Sequence, residues 1–318
     1  MSEQVLKGEV TPELSGRRLD QALAELFGDY SRSRLQKWIK AGRVTLNHKQ
    51  LRARDKVVVG DRICLRIEDE PLIEAVSQPI ELDIQYEDEH LLIINKPAGL
   101  VVHPAAGNLD GTMLNGLLHY DSSLQGLPRA GIVHRLDKET SGLLVVARTL
   151  KAHKRLVELL QAREIHREYR TIVNGVMISG GSVDEPIGRH PTQRIRMAVV
   201  HTGKPARTDY RVLQRFRAHT LLQVKLHSGR THQIRVHMAH INYPLVGDPL
   251  YGGRLKIPAG AGDALKNALR SFRRQALHAF KLGFEHPETG EWMEWECAIP
   301  DDMQQLLTEL QHDKNTMD

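Results

Sequence analysis

The chain has 318 residues, 41% hydrophobic and 26% charged, with a formal net charge of +5 and a pI near 9.2. That length and apolar content exclude a wholly disordered protein and allow more than one domain. The two cysteines, Cys64 and Cys297, are too few and too far apart for a disulfide scaffold or a Cys-x-x-Cys zinc knuckle, and they suit a reducing compartment.

Residues 1–15 read as a charged N-terminal tail without the apolar core of a signal peptide. Leu19, Ala22, Leu23, Leu26 and Phe27 follow the spacing of an amphipathic helix that Gly28 would end. A second helix, capped by Ser31 or Ser33, carries Leu35, Trp38 and Ile39 on one face and stops at Gly42. Val44 and Leu46, then Ile63, Leu65 and Ile67, alternate as short strands do. From Arg17 to Lys56 there are eleven Lys or Arg against four Asp or Glu. The rest of the chain is therefore nearly neutral, and residues 16–68 read as a small α/β RNA-binding module. Arg32, Arg34, Lys37 and Lys40, on the polar side of the second helix, are the expected phosphate contacts.

Between Glu68 and Glu89 stand nine acidic residues and no Lys or Arg, and 69–78 read as an acidic linker. A larger domain, 79–312, follows. Its expected strands are Leu91 to Ile94, Leu143 to Ala147, Arg170 to Val173, Met197 to Val200 and Leu221 to Leu226. Helices are expected at Met113 to His119 and Lys151 to Arg163. The two kinds do not alternate regularly, so the fold class expected is α+β with a mixed or antiparallel sheet. Gly252 to Arg274 reads as a basic loop with a helical portion, and 313–318 as a frayed tail. No stretch approaches the roughly 18 apolar residues of a membrane helix, so the chain is expected in the cytoplasm.

The run from His134 to Gly142 sets Asp137 between Arg135 and Lys138 in a polar loop before an apolar strand. Such an acid either forms a structural ion pair with its neighbours or is presented for catalysis by the strand behind it. Ser228 to His237 is the second marked motif: Gly229 permits a tight turn and throws Arg230 out beyond it, where its fork suits a carboxylate. Arg167-Glu168-Tyr169 opens a strand and offers a ring on which a base can stack. His103 sits in a turn as a structural histidine or an acid/base. His232, His237 and His240 match no standard zinc spacing, so no metal is expected. Phosphate-binding and dinucleotide-binding glycine loops are absent, as is the nucleophile elbow of hydrolases. NTPases, nucleotide-dependent methyltransferases and serine hydrolases are set aside on that ground. A non-catalytic RNA-binding assembly factor stays open.

Taken together, Lys96-Pro97-Ala98-Gly99, His134-Arg135-Leu136-Asp137, Ser141-Gly142, Arg167-Glu168-Tyr169, Gly229 to Arg235, Gly247-Asp248 and Tyr251-Gly252 resemble the RluA-type pseudouridine synthases. Arg17-Arg18-Leu19-Asp20, Ser31-Arg32-Ser33 and Gly42-Arg43-Val44 resemble the RNA-binding module of ribosomal protein S-four. The resemblance implies isomerisation of uridine to pseudouridine in 23S ribosomal RNA or its large-subunit precursor. The subtype most like this chain acts on the helix 69 stem-loop, while the synthase C subtype, which shares the two-domain plan, acts on other 23S uridines. No cofactor is implied, and the chain is expected to be a monomer. Asp137 would be the catalytic acid, attacking the anomeric carbon or removing the 2′ hydrogen. Arg230 would pair with it, and Tyr169 would stack on the uracil and help to remove the proton at carbon 5. Arg135 would fill the gap left by the flipped base, and Ile234 would floor the pocket.

Overall fold

The computed structural model describes residues 3–28, 30, 32–68, 76–105, 107–193 and 195–317, without the side chains of residues 3, 4, 33, 34, 67, 68 and 317. Arg34 and Ser33 as side chains, Ser31, and most of the expected linker lie outside the described residues. The chain divides into two compact units, 1–72 and 73–318.

The first unit contains β1 (Glu3–Glu9), α1 (Leu19–Leu26), α2 (Arg32–Lys40), β2 (Val44–Leu46) and β3 (Arg62–Glu68). Leu19, Ala22 and Leu23 of α1 and Leu35, Trp38 and Ile39 of α2 bury their shared faces against Val44, Leu46, Ile63 and Leu65. Burial of these aliphatic chains, worth about 1.5–3 kcal/mol each, is what holds the two short helices on the sheet. The expected N-terminal tail is corrected here. β1 pairs antiparallel with β3, and Val10 behind it is buried. Its sequence hid the strand because an edge strand can carry charges along its length.

The second unit begins with β4 (Ile84–Glu87), β5 (Leu91–Lys96), α3 (Met113–Tyr120), β6 (Ser141–Ala147), α4 (Leu150–Ala162) and β7 (His166–Asn174). It continues with β8 (Gly181–Asp184), β9 (Ile187–Arg189), β10 (Met197–Val199), β11 (Arg207–Arg215) and β12 (His219–Leu226). Then come α5 (Gln233–His240), α6 (Asp263–Ser271), β13 (Leu277–Glu285), β14 (Trp292–Glu296) and α7 (Asp301–Met317). The main sheet runs β4-β5-β6-β13-β7-β12-β11-β8, with β14 also on β13. Only the β13–β6 pairing is parallel, so the sheet is mixed, as expected of the α+β class. The expected frayed tail is corrected too. α7 extends to Met317, and Arg217 Nη1 donates to both carboxylate oxygens of Asp313 at 3.0 and 3.1 Å.

The parallel junction depends on Gly142. Its φ is +113°, and a Cβ there would lie 2.2 Å from the carbonyl oxygen of Ala279. A residue with a side chain would push β6 off β13. With glycine the strands meet, and Ser141 Oγ bonds His278 Nδ1 at 2.9 Å. The loop that carries Asp137 therefore enters the sheet at its central seam.

Candidate active site

Lys96 ends β5 fully buried, and its ammonium donates to the carbonyl oxygens of Pro97 (2.7 Å), Leu100 (2.9 Å) and Lys138 (3.0 Å). Burial lowers its pKa to about 7, partly countered by the carboxylates of Glu139 and Asp137. All three ammonium hydrogens are used, and one of them ties the chain beside Asp137. From the other side, Arg274 Nη1 donates to the Glu139 carbonyl at 3.3 Å, and Gln275 Nε2 to Thr140 Oγ1 at 3.1 Å. Arg274 is itself gripped by Asp302 at 2.6 and 2.7 Å. Upstream, His134 Nε2 accepts the backbone N–H of Val145 at 3.1 Å. Burial, with Arg167 nearby, lowers the ring's pKa to about 3, so it stays neutral and can accept. A loop held from so many directions presents its acid in one place.

Asp137 lines a cavity of about 750 Å³ together with Arg135, Tyr169, Arg230 and Ile234. Its carboxylate accepts from Arg235 Nη1 at 3.0 Å. The remaining fork of Arg235 grips Asp248, Nε to Oδ2 at 2.7 Å and Nη2 to Oδ1 at 2.9 Å. Asp248 also accepts the backbone N–H groups of Leu250 and Tyr251 at 2.9 and 3.0 Å. Burial disfavours the Arg235 cation, but the carboxylates of Asp248 and Asp137 outweigh it and raise its pKa. His232 Nε2 lies 3.8 Å from Asp137, while its Nδ1 meets Tyr251 Oη at 2.8 Å. Tyr251 Oη accepts the N–H of Met197, so its own hydrogen is free to go to Nδ1, which leaves Nε2–H facing the acid.

The expected pairing of Arg230 with Asp137 is corrected by this geometry. Arg230 Nε donates to the Pro205 carbonyl at 3.2 Å, and its backbone N–H to Gln233 Oε1 at 3.0 Å. Arg230 belongs to the turn before α5, whereas Arg235 lies in the first turn of the helix and faces inward, 4% exposed. Sequence reading passed over Arg235 because α5 itself went unseen. Gln233, Arg235 and His237 are all buried, so the helix has no polar outer stripe to mark it. Nor do Arg135 or Lys138 pair with Asp137 among the described residues; Arg135 is exposed at the cavity rim.

Tyr169 (5% exposed) and Ile234 (3%) sit in the same apolar cluster and line the cavity. Burial raises the pKa of the Tyr169 phenol, so the hydroxyl keeps its proton in the resting site, with the ring at the cavity wall. His103 also lines the cavity and meets the Pro104 carbonyl through Nδ1 at 2.9 Å. His237 is satisfied by Thr208 Oγ1 and the Glu185 carbonyl at 2.8 and 3.0 Å. In the first unit, Lys37 and Lys40 are exposed, and Arg32 bonds the buried Asp20 at 2.8 and 3.0 Å. Arg18 and Gln36 share that carboxylate. Arg32 thus anchors α2 to α1 besides offering charge. No helix among the described residues is long and apolar enough to cross a membrane.

A profile of the RNA pseudouridylate synthase family matches residues 90–240, and one of the S4 domain matches residues 17–63. The chain is 57% identical over 315 residues to ribosomal large subunit pseudouridine synthase D of Pseudomonas aeruginosa, covering 99% of this chain and 98% of that protein. It is 55% identical over 315 residues to the protein of that name in Escherichia coli strain K12, covering 98% and 97%. Among solved structures, human RNA pseudouridylate synthase domain containing 4 superposes with a TM-score of 0.57 at 27% identity, over 72% of this chain and 92% of that one. With His134 to Asp137, Arg167, Tyr169 and Gly229 to Arg235 lining one cavity and the fold shared, the chain belongs to the RluA-type RNA pseudouridine synthases that carry an S4 domain.

Proposed function

We propose that this enzyme converts uridines of 23S ribosomal RNA, those of the helix 69 stem-loop, to pseudouridine, with Asp137 as the catalytic carboxylate. The observation that carries the reading is Asp137 itself: one carboxylate, held by Arg235 at 3.0 Å, at the wall of a cavity of about 750 Å³. The names of the relatives support the large-subunit substrate. The target base cannot react inside a stack and must be flipped out, costing a few kcal/mol. Arg135, exposed at the rim, fills the space it leaves. The uracil enters against Tyr169, with Ile234 beneath. Asp137 then attacks the anomeric carbon or removes the 2′ hydrogen. Beside RNA phosphates the carboxylate needs a cation next to it, and the Arg235 guanidinium, 3.0 Å away, supplies that charge and fixes its orientation. Arg230 is left to face the RNA rather than the acid. The basic face of the first unit, with Lys37 and Lys40, contributes sequence-independent phosphate contact. The chain acts as a monomer, since every residue invoked in the chemistry comes from one unit.

The test is pseudouridine mapping across 23S ribosomal RNA from cells lacking the protein and from cells given back wild type or Asp137→Asn. Helix 69 pseudouridines are expected to vanish on deletion and to return with wild type alone. Loss confined to other 23S positions would replace the target with that of a synthase C-type member. An unchanged map would end the proposal.

A further inference from the structure

Arg167 stands two positions before Tyr169 on the same face of β7 and lines the same cavity. It is 8% exposed. Its Nε is buried with no hydrogen-bond partner, and among the described residues no carboxylate pairs with its guanidinium. The nearby acid, Asp137, is engaged by Arg235 instead. A buried cation without a partner is costly, which is why such groups are rare unless something arrives to meet them. The surroundings leave space for this one. A Cβ on Gly229 would lie 2.9 Å from Arg167 Nη1, so the turn at Gly229 accommodates the guanidinium.

Depth indicates what it meets. Arg129, Arg135 and Arg163 line the cavity and are exposed, at the level of a phosphate backbone. Arg167 is as buried as Tyr169, at the level of the base. We propose that Arg167 is a further catalytic residue, which stabilises the uracil as it leaves the ribose. The inference rests on the reading of Asp137 above. When the C1′–N1 bond breaks, its electron pair departs with the uracil, and the charge spreads over N1, O2 and O4. A guanidinium N–H donates to one of those oxygens. After the base turns, the C1′–C5 bond forms as the ester bond from Asp137 to C1′ breaks, or as the 2′ proton is returned to the glycal, and the uracil is neutral again. C5 then loses its proton to water while N1 takes one up. Uridine in the ground state is neutral, so the contact strengthens only as the charge develops, which is the condition for raising a rate.

The experiment uses the full chain, with Arg167→Met and Arg167→Lys, on 23S ribosomal RNA from cells lacking the enzyme, in single turnover at saturating protein. Arg167→Met is expected to slow isomerisation by about 10²–10³-fold, the usual cost of losing one donor to a developing anion. RNA affinity should stay within about threefold, and the melting temperature should hold or rise, since an uncompensated buried charge has been removed. Arg167→Lys should recover part of the rate. With RNA containing 5-fluorouridine, whose base is the better leaving anion, the Arg167→Met defect in substrate consumption should shrink. The inference is overturned by a rate near wild type, by an equal defect on both RNAs, or by a defect that tracks a fall in melting temperature. Asp137→Asn, run in parallel, separates the two readings. If it is inactive while Arg167→Met is active, only the Arg167 inference fails; if it is active, the site reading fails.

Discussion

Asp137 and Arg235, 98 positions apart in the chain, meet at 3.0 Å, and the same guanidinium clamps Asp248 with its other two donors. One arginine thus orients the acid and fills a buried carboxylate's need for a cation. Arg235→Ala should destabilise the fold by about 3–5 kcal/mol, because Asp248 is left buried and uncompensated. Arg235→Lys keeps a charge but loses the fork, so turnover should still fall. Arg230→Ala should leave urea unfolding nearly unchanged. A greater stability loss from Arg230→Ala than from Arg235→Ala would contradict this division.

Asp137→Asn should remove turnover and leave RNA affinity within about threefold, since one acid contributes nothing to phosphate contact. Combining it with Arg235→Lys should add little to the kinetic loss, because groups that act as a unit are not additive. Activity and filter-binding assays on the same preparations decide it. Turnover close to wild type would remove Asp137 from the chemistry.

Lys96 links the site to pH. Its pKa in the folded state, about 7 because of burial, lies below its ordinary 10.5. The fold therefore bears a cost for the ammonium that is complete below pH 7 and shrinks as pH rises towards 10.5. Against a Lys96→Met reference, wild-type stability should gain by a few kcal/mol between pH 7 and 10. Urea unfolding at several pH values measures the gap, and a gap that narrows or stays flat contradicts the assignment.

In the S4 unit, Lys37→Ala and Lys40→Ala should each reduce the log-log salt slope of RNA binding by roughly 0.7–0.9 without touching stability. Arg32→Ala should do both. It also withdraws the 2.8 Å partner of Asp20, which is wholly buried, so about 1–3 kcal/mol of stability should go with it. Slopes identical to wild type for both lysine variants would mark this face as merely solvated.

Gly142→Ala places a methyl 2.2 Å from the Ala279 carbonyl and forces an alanine to φ +113°. Both effects act on the β6–β13 seam, so a loss of at least about 3 kcal/mol is expected in denaturant unfolding. A variant as stable as wild type would mean that the seam yields at little cost.

The sequence by itself determined whatever depends on near neighbours. Apolar spacing placed α1, α2, α3, α4, β5, β6, β7 and β12, because a face buried along one element repeats at that element's own period. The charge excess marked the first unit, and the motif around Asp137 marked the acid, its loop and the strand behind it. Only the tertiary structure decided what depends on burying polar groups over long separations. It recruited β1 as a charged edge strand and carried α7 past Asp313. It formed α5 from a segment whose glutamine, arginine and histidine all point inward. Arg230 and Arg235 are the same residue type within one short motif, and either could serve a carboxylate. The choice fell to Arg235 because α5 turns it towards Asp137 and Asp248 together, while Gln233 holds the turn that carries Arg230 away to Pro205. No local pattern encodes that choice, since a buried ion pair is set by where two distant elements converge and not by the spacing within either.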